Sequence, residues 1–173
     1  MVEVCERAGI ALMVNHQARW APYHKAVKVL LDRDVLGHLF SVVHLHRQNQ
    51  DVGDSGIFHG HRGAASATYF VEPYFRDFTI LENGIHYVDL SRYFTGRTPS
   101  RVKAAATLRP GQHSEDPMVY TLLCEYEPDD LMTTLHFNNI ASGLHNSPYL
   151  WFFDGTKAAA SIARHGTIGE GRT

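Results

Sequence analysis

The chain has little that would tie it to a disulfide scaffold, a membrane or a nucleic acid. Only two cysteines occur among 173 residues, Cys5 and Cys124. That is too few for a disulfide framework or a cysteine-based zinc site, and lone thiols fit a reducing cytoplasm. No HExxH or CxxC spacing is present, so no metal site is expected. No run approaches the roughly 18 apolar residues that a membrane-spanning helix needs. Met1 is followed by Val2, Glu3 and Val4 rather than by a basic segment and an apolar core, so no secretory signal is read and a cytoplasmic location is the expectation. The formal net charge of −2 gives no electrostatic footprint for nucleic acid or for an anionic membrane surface. A glycine-rich turn between strand and helix, the fingerprint of dinucleotide binding, is also missing. Gly166, Gly169 and Gly171 have the wrong order and sit at the end of the chain. Lysine is confined to Lys25, Lys28, Lys103 and Lys157.

What is there is an ordinary globular composition, 44% hydrophobic and 20% charged, in a length that fits one domain with a sizeable core. Val2 to Ala8 can form a short helix closed by Gly9. Ile10 to Val14 is a continuous apolar run suited to a buried strand. Together they read as the last helix and strand of a parallel α/β unit, so residues 1–15 are expected to be the remnant of one domain and 16–173 a second. Pro22 opens a helix in which Tyr23, Ala26, Val27, Leu30 and Leu31 form the apolar stripe. Leu39 to Arg47 reads as a strand. From Arg101 onward the pattern is β: Arg101 to Leu108, then a hairpin of Met118 to Tyr126 and Leu131 to Phe137 around Pro128-Asp129-Asp130, then Tyr149 to Phe153 and Ala158 to Ile162. The expected fold is α+β, a mostly antiparallel open sheet with helices on one face, preceded by the remnant. Strands apolar on both faces imply that the second face is also covered, by a second subunit.

Residues 79–99 carry the chemistry. Glu82, His86 and Asp89 stand at i, i+4 and i+7, within about 60° of one another on a helix. Phe78, Leu81, Ile85, Val88, Leu90 and Phe94 supply apolar surface around them. An acid–imidazole–acid stripe on such a helix suits proton handling, although it can also be a set of surface pairs, with Asp89 bridging to Arg92 three residues on. Gly84, inside the same helix, implies close packing. Arg19 can pair with an acid, or clamp a hydroxyl-rich or anionic ligand through its planar fork. Twelve histidines are present. His44 and His46 share one face of their strand and read as ordinary polar surface, and His59 and His61 repeat the spacing in a loop. The glycine-rich stretch 50–72, with Gly53, Gly56, Gly60 and Gly63, reads as a flap over a ligand site or as a surface insertion.

The order of these motifs resembles the Gfo/Idh/MocA family of NAD(P)-dependent oxidoreductases. HQARWAP at 16–22, VLGHLFSV at 35–42, LENGIHYVDLSRYFTGRTPSRVKA at 81–104 and the hairpin SEDPMVYTLLCEYEPDDLMTTLHF follow one another as in that family's C-terminal domain. The resemblance implies that His86 is the general acid/base on a substrate hydroxyl, a task that suits an imidazole near neutrality. It implies that Glu82, where the family often has aspartate, assists His86, and that Arg19, His16 and Asp89 bind a sugar or polyol substrate. It further implies NAD or NADP as cofactor of a full-length parent, a homo-oligomer, and a Rossmann domain before this region. That domain's fingerprint and the family's Glu-Lys-Pro motif are both missing, so this chain alone is expected to bind no cofactor and to be inactive. The reading is therefore the C-terminal part of a truncated sugar or polyol dehydrogenase. A non-catalytic binding or oligomerisation module, and a cofactor-free hydrolase using Glu82 and His86, are the alternatives.

Overall fold

A computed structural model describes residues 1–47, 84–108, 110, 117, 119–139, 144–145, 149–164 and 167–168. Helix α1 spans Val2–Ala8 and stops at Gly9, whose left-handed φ of 65° lets its N–H and that of Ile10 turn back onto the last turn of the helix. The next residues, 10–14, form no strand. Ile10, Leu12, Met13 and Val14 are exposed, which corrects the expected strand. A parallel strand is held only by neighbours, and no described strand lies beside this run.

A 3₁₀ turn, Gln17–Trp20, leads into α2, Pro22–Asp32. The buried face of α2 is His24 and Val27, with Leu31 packed at the margin of the core. Tyr23 and Leu30, expected inside, are exposed. The helix is thus rotated by about one residue from the expected stripe, because His24 takes the inward place. Strand β1 is Leu39–Arg47, α3 is Ile85–Thr95, β2 is Arg101–Thr107, and β3 and β4 are Val119–Tyr126 and Leu131–Asn138. The two-residue β5, Leu144–His145, precedes β6, Tyr149–Gly155, and β7, Ala159–Arg164; β8, Thr167–Ile168, pairs with β5.

The main sheet has six strands in the order β2-β3-β4-β1-β6-β7. Only β1 and β4 run parallel; the other pairings are antiparallel. This is the expected α+β fold. Alternation sends Val42, His44 and His46 of β1, Leu131, Thr133, Leu135 and Phe137 of β4, Tyr120, Cys124 and Tyr126 of β3, and Trp151 and Phe153 of β6 into the core. Leu90 and Phe94 of α3 and Val27 of α2 meet them. The opposite face carries Val43, Leu45, Leu123, Met132 and Phe152, and no described helix covers it; Met132 and Phe152 are 45% and 40% exposed.

Two contacts fix how the helices sit. Thr95 caps the last turn of α3 by donating to Ser91 O, and Gly96 leaves the helix at φ 67°. Arg97 then donates to Asp130 Oδ1 at 2.7 Å and to the carbonyl of Glu127, tying the helix end to the β3–β4 turn. At the other side of the sheet the turn after α2 lies against β6: a Cβ on Gly155 would stand 2.1 Å from the carbonyl oxygen of Leu36. Only glycine allows that approach.

Candidate active site

The expected site residues fall at the junction of the 3₁₀ turn and α3. His86 is the second residue of α3, on its partly exposed side. Asp89, one turn later, is nearly covered, with 9% of its side chain exposed. Its partner is Arg19, 70 residues earlier in the chain, not Arg92: Arg19 Nε donates to Oδ2 at 2.6 Å and Nη2 to Oδ1, a two-pronged fork. The bond to Asp89 holds the Arg19 guanidinium above its ordinary pKa, against a smaller opposing effect of burial. Arg19 remains 42% exposed and lies over the Tyr93 ring, 5.4 Å from its centroid.

The fork places the 3₁₀ turn, and with it His16. His16 Nδ1 is 3.8 Å from Asp89 Oδ2. The His16 and His86 rings meet edge to face at 6.0 Å. Thus His16, Arg19, His86 and Asp89 stand together. Arg19 engages both oxygens of Asp89. His86 Nδ1 is buried and has no hydrogen-bond partner. Glu82, the glycine-rich stretch 50–72, and His59 and His61 lie outside the described residues.

Beneath His86 lies a cluster of aromatic and imidazole rings that the sequence reading assigned to the surface. His44 and His46 are buried, a correction to the expected polar surface. The His44 ring is stacked between Tyr87 at 4.4 Å and Trp151 at 4.3 Å, and its Nδ1 donates to Leu150 O at 3.0 Å. Burial, with repulsion from His46, His24 and His136, pushes its pKa well below the ordinary value. Tyr87, next to His86, bonds His46 Nδ1 through its hydroxyl at 3.0 Å. His24 Nδ1 donates to Ala18 O at 2.6 Å, which leaves Nε2 to accept from the Tyr149 hydroxyl, also at 2.6 Å. Burial raises the pKa of both tyrosines and lowers that of His24, so these rings are neutral spacers. The period-two spacing of His44 and His46 was a visible signal for a shared face; it carried no information about which face.

Among the described residues no strand runs through a tight turn into a helix N-terminus, and no group of three or more His, Cys, Asp or Glu side chains could hold a metal. The backbone cradle that a strand–turn–helix gives a dinucleotide's pyrophosphate is therefore not found among the described residues. What they offer is a pair of partly exposed imidazoles, His16 and His86, next to the Arg19–Asp89 fork.

Comparison with known proteins shows the fold and the family. D-apiose dehydrogenase of Rhizobium rhizogenes (strain K84 / ATCC BAA-868) is 27% identical over 167 residues, which are 95% of this chain and 44% of that enzyme. Among solved structures, scyllo-inositol dehydrogenase from Lactobacillus casei with bound NAD(H) and scyllo-inositol has a TM-score of 0.65 at 18% identity, over 92% of this chain and 44% of that one. The WlbA dehydrogenase from Bordetella pertussis, in complex with NADH and UDP-GlcNAcA, has a TM-score of 0.70 at 17% identity, over 97% and 46% respectively. The chain spans less than half the length of these relatives. Residues 24–161 match the GFO/IDH/MocA C-terminal domain, and the chain belongs to that family.

Proposed function

We propose that this chain supplies the substrate-binding and proton-transfer half of a sugar or polyol dehydrogenase that uses NAD or NADP. The observation that carries the reading is the Arg19–Asp89 fork, which sets His16 and His86 together on one accessible polar patch. In this reading His86 takes the proton of a substrate hydroxyl as the carbon bearing it is oxidised, and returns it in the reverse direction. Arg19 and His16 hold neighbouring hydroxyl oxygens, and Asp89 positions both. Glu82, four residues before His86 in the sequence, assists it. The described residues do not fit the dinucleotide, so the redox half belongs to a nucleotide-binding domain, of which residues 1–15 are the closing helix and segment. The exposed run Ile10 to Val14 is the apolar surface such a domain would cover.

The experiment is a pair of titrations on the chain. Adding scyllo-inositol, D-apiose and related polyols should shift the ring signals of His86 and His16 in NMR spectra, and Arg19→Ala should abolish the shifts. Titration with NADH should show no micromolar binding. Micromolar NADH affinity, or polyol shifts confined to residues far from α3, would overturn the reading.

The uncovered sheet face supports homodimerisation as a second part of the proposal. Val43, Leu45, Leu123, Met132 and Phe152 lie on this one face of four central strands, Val43 beside Phe152, with Thr134 of β4 between Val43 and Leu123, and such an apolar face marks an interaction surface. Light scattering behind size exclusion should give twice the chain mass. The same face would serve the non-catalytic module, and the polyol titration separates the two.

A further inference from the structure

A second cleft lies past the far end of α3 and shares Arg19 with the patch assigned to proton transfer. Arg19, Arg92, Tyr93, Gly96, Arg97 and Thr98 line a cavity of about 190 Å³. Its lining is unbalanced in hydrogen-bonding character. The carboxylates nearest to it are already engaged: Asp89 accepts the fork of Arg19 and Asp130 accepts from Arg97. Arg19 spends Nε and Nη2 on that fork and keeps Nη1. Arg92 is exposed and has no ion pair or hydrogen bond among the described residues. The hydroxyls of Tyr93 and Thr98 likewise have no such partner. Among the described side chains lining the cleft, the cationic donors therefore outnumber the carboxylates that could match them.

We infer that this cleft binds a phosphoryl group, held by Arg92 and the remaining Nη1 of Arg19 with the Tyr93 and Thr98 hydroxyls. Guanidinium groups match tetrahedral oxyanions geometrically, because two parallel N–H bonds reach two oxygens of one anion. The chain as a whole is acidic, with a net charge of −2, so general attraction of anions does not account for such a local excess of positive donors. The last carbonyls of α3 point toward this end and oppose an anion, as does the exposure of the site. The affinity expected is accordingly modest, in the millimolar range for the free ion. The inference stands apart from the role given to His86.

The test is a titration of the full chain with inorganic phosphate at constant ionic strength, followed by the arginine Nε–Hε signals. Saturable shifts of Arg92 and Arg19 are expected, weakened about tenfold or more by Arg92→Ala, as loss of one charge-assisted contact implies. Arg92 makes no contact that folding needs, and Arg7→Ala on α1 controls for nonspecific charge. Glycerol phosphate binding more tightly than phosphate assigns the group to an ester, and equal affinity assigns it to the free ion; either supports the site. Absence of saturable shifts at tens of millimolar phosphate, or an unchanged affinity in Arg92→Ala, overturns it.

Discussion

The histidine between Tyr87 and Trp151 makes the domain acid-labile in a way that one substitution isolates. His44 is fully buried, its Nδ1 proton is committed to Leu150 O, and its Nε2 has no partner. Charging the ring in place would bury a cation. The two flanking ring faces would return about 2 kcal/mol or more each through cation–π attraction, which offsets only part of the several kcal/mol that an uncompensated buried charge costs, and His46 and His24 repel it further. The folded state therefore keeps His44 neutral, with its pKa depressed by burial. The unfolded ring titrates near 6.5. Between those two values only the unfolded chain gains the proton, so stability is complete above about pH 6.5 and falls as the pH drops toward the folded pKa. Each pH unit in that window removes about 1.4 kcal/mol for this one ring. Urea unfolding at neutral pH and at about one and two units below 6.5 measures the slope. His44→Phe keeps a flat ring in the stack and loses the bond to Leu150 O, a cost of about 1 kcal/mol that does not vary with pH. The variant's slope should be shallower by about 1.4 kcal/mol per unit. Parallel slopes in the two proteins would refute the argument.

Other outcomes follow from single contacts. Asp89→Asn should lower stability by about 1–2 kcal/mol in urea unfolding, discounted for the exposure of Arg19, and should broaden the His16 ring signals as the 3₁₀ turn loosens. Gly155→Ala should cost about 1–3 kcal/mol in the same assay, since its methyl would meet the Leu36 carbonyl. Tyr149→Phe should cost about 1–3 kcal/mol by leaving His24 Nε2 buried without its donor. Phe152→Glu on the open sheet face should convert a dimer to monomer in light scattering, with no loss of helical circular dichroism.

The β half of the fold was legible because its signals are local. Tyr120, Cys124 and Tyr126 alternate with less buried positions, Leu131 to Phe137 do the same, and the Asp129 turn between them adopts a left-handed φ of 62° that aspartate tolerates. The helix of His86 and the α+β class followed from the same kind of pattern. What was not legible depended on partners. The run Ile10 to Val14 has strand composition but no strand to pair with among the described residues. His24 displaced Tyr23 from the buried face of α2 because Ala18 O and the Tyr149 hydroxyl satisfy both of its nitrogens, and neither contact can be read from periodicity. His44 and His46 were placed outside because imidazoles usually are, and the stacking rings come from α3 and β6. At the site, spacing favoured a local Asp89–Arg92 bridge, whereas the actual fork joins Asp89 to Arg19 across 70 positions.

Strand β1 sits in the middle of the sheet, yet both of its neighbours, β4 and β6, lie roughly ninety residues or more further along the chain. During synthesis, the ribosome therefore releases β1 with its core-facing side chains long before anything can pair with it. Closing that long loop sets the pace of folding, and the β3–β4 hairpin, which is local, is the natural template on which the earlier strand docks. A nascent chain stalled before residue 131 should consequently be sensitive to protease and to chaperone capture, and release past residue 155 should end both.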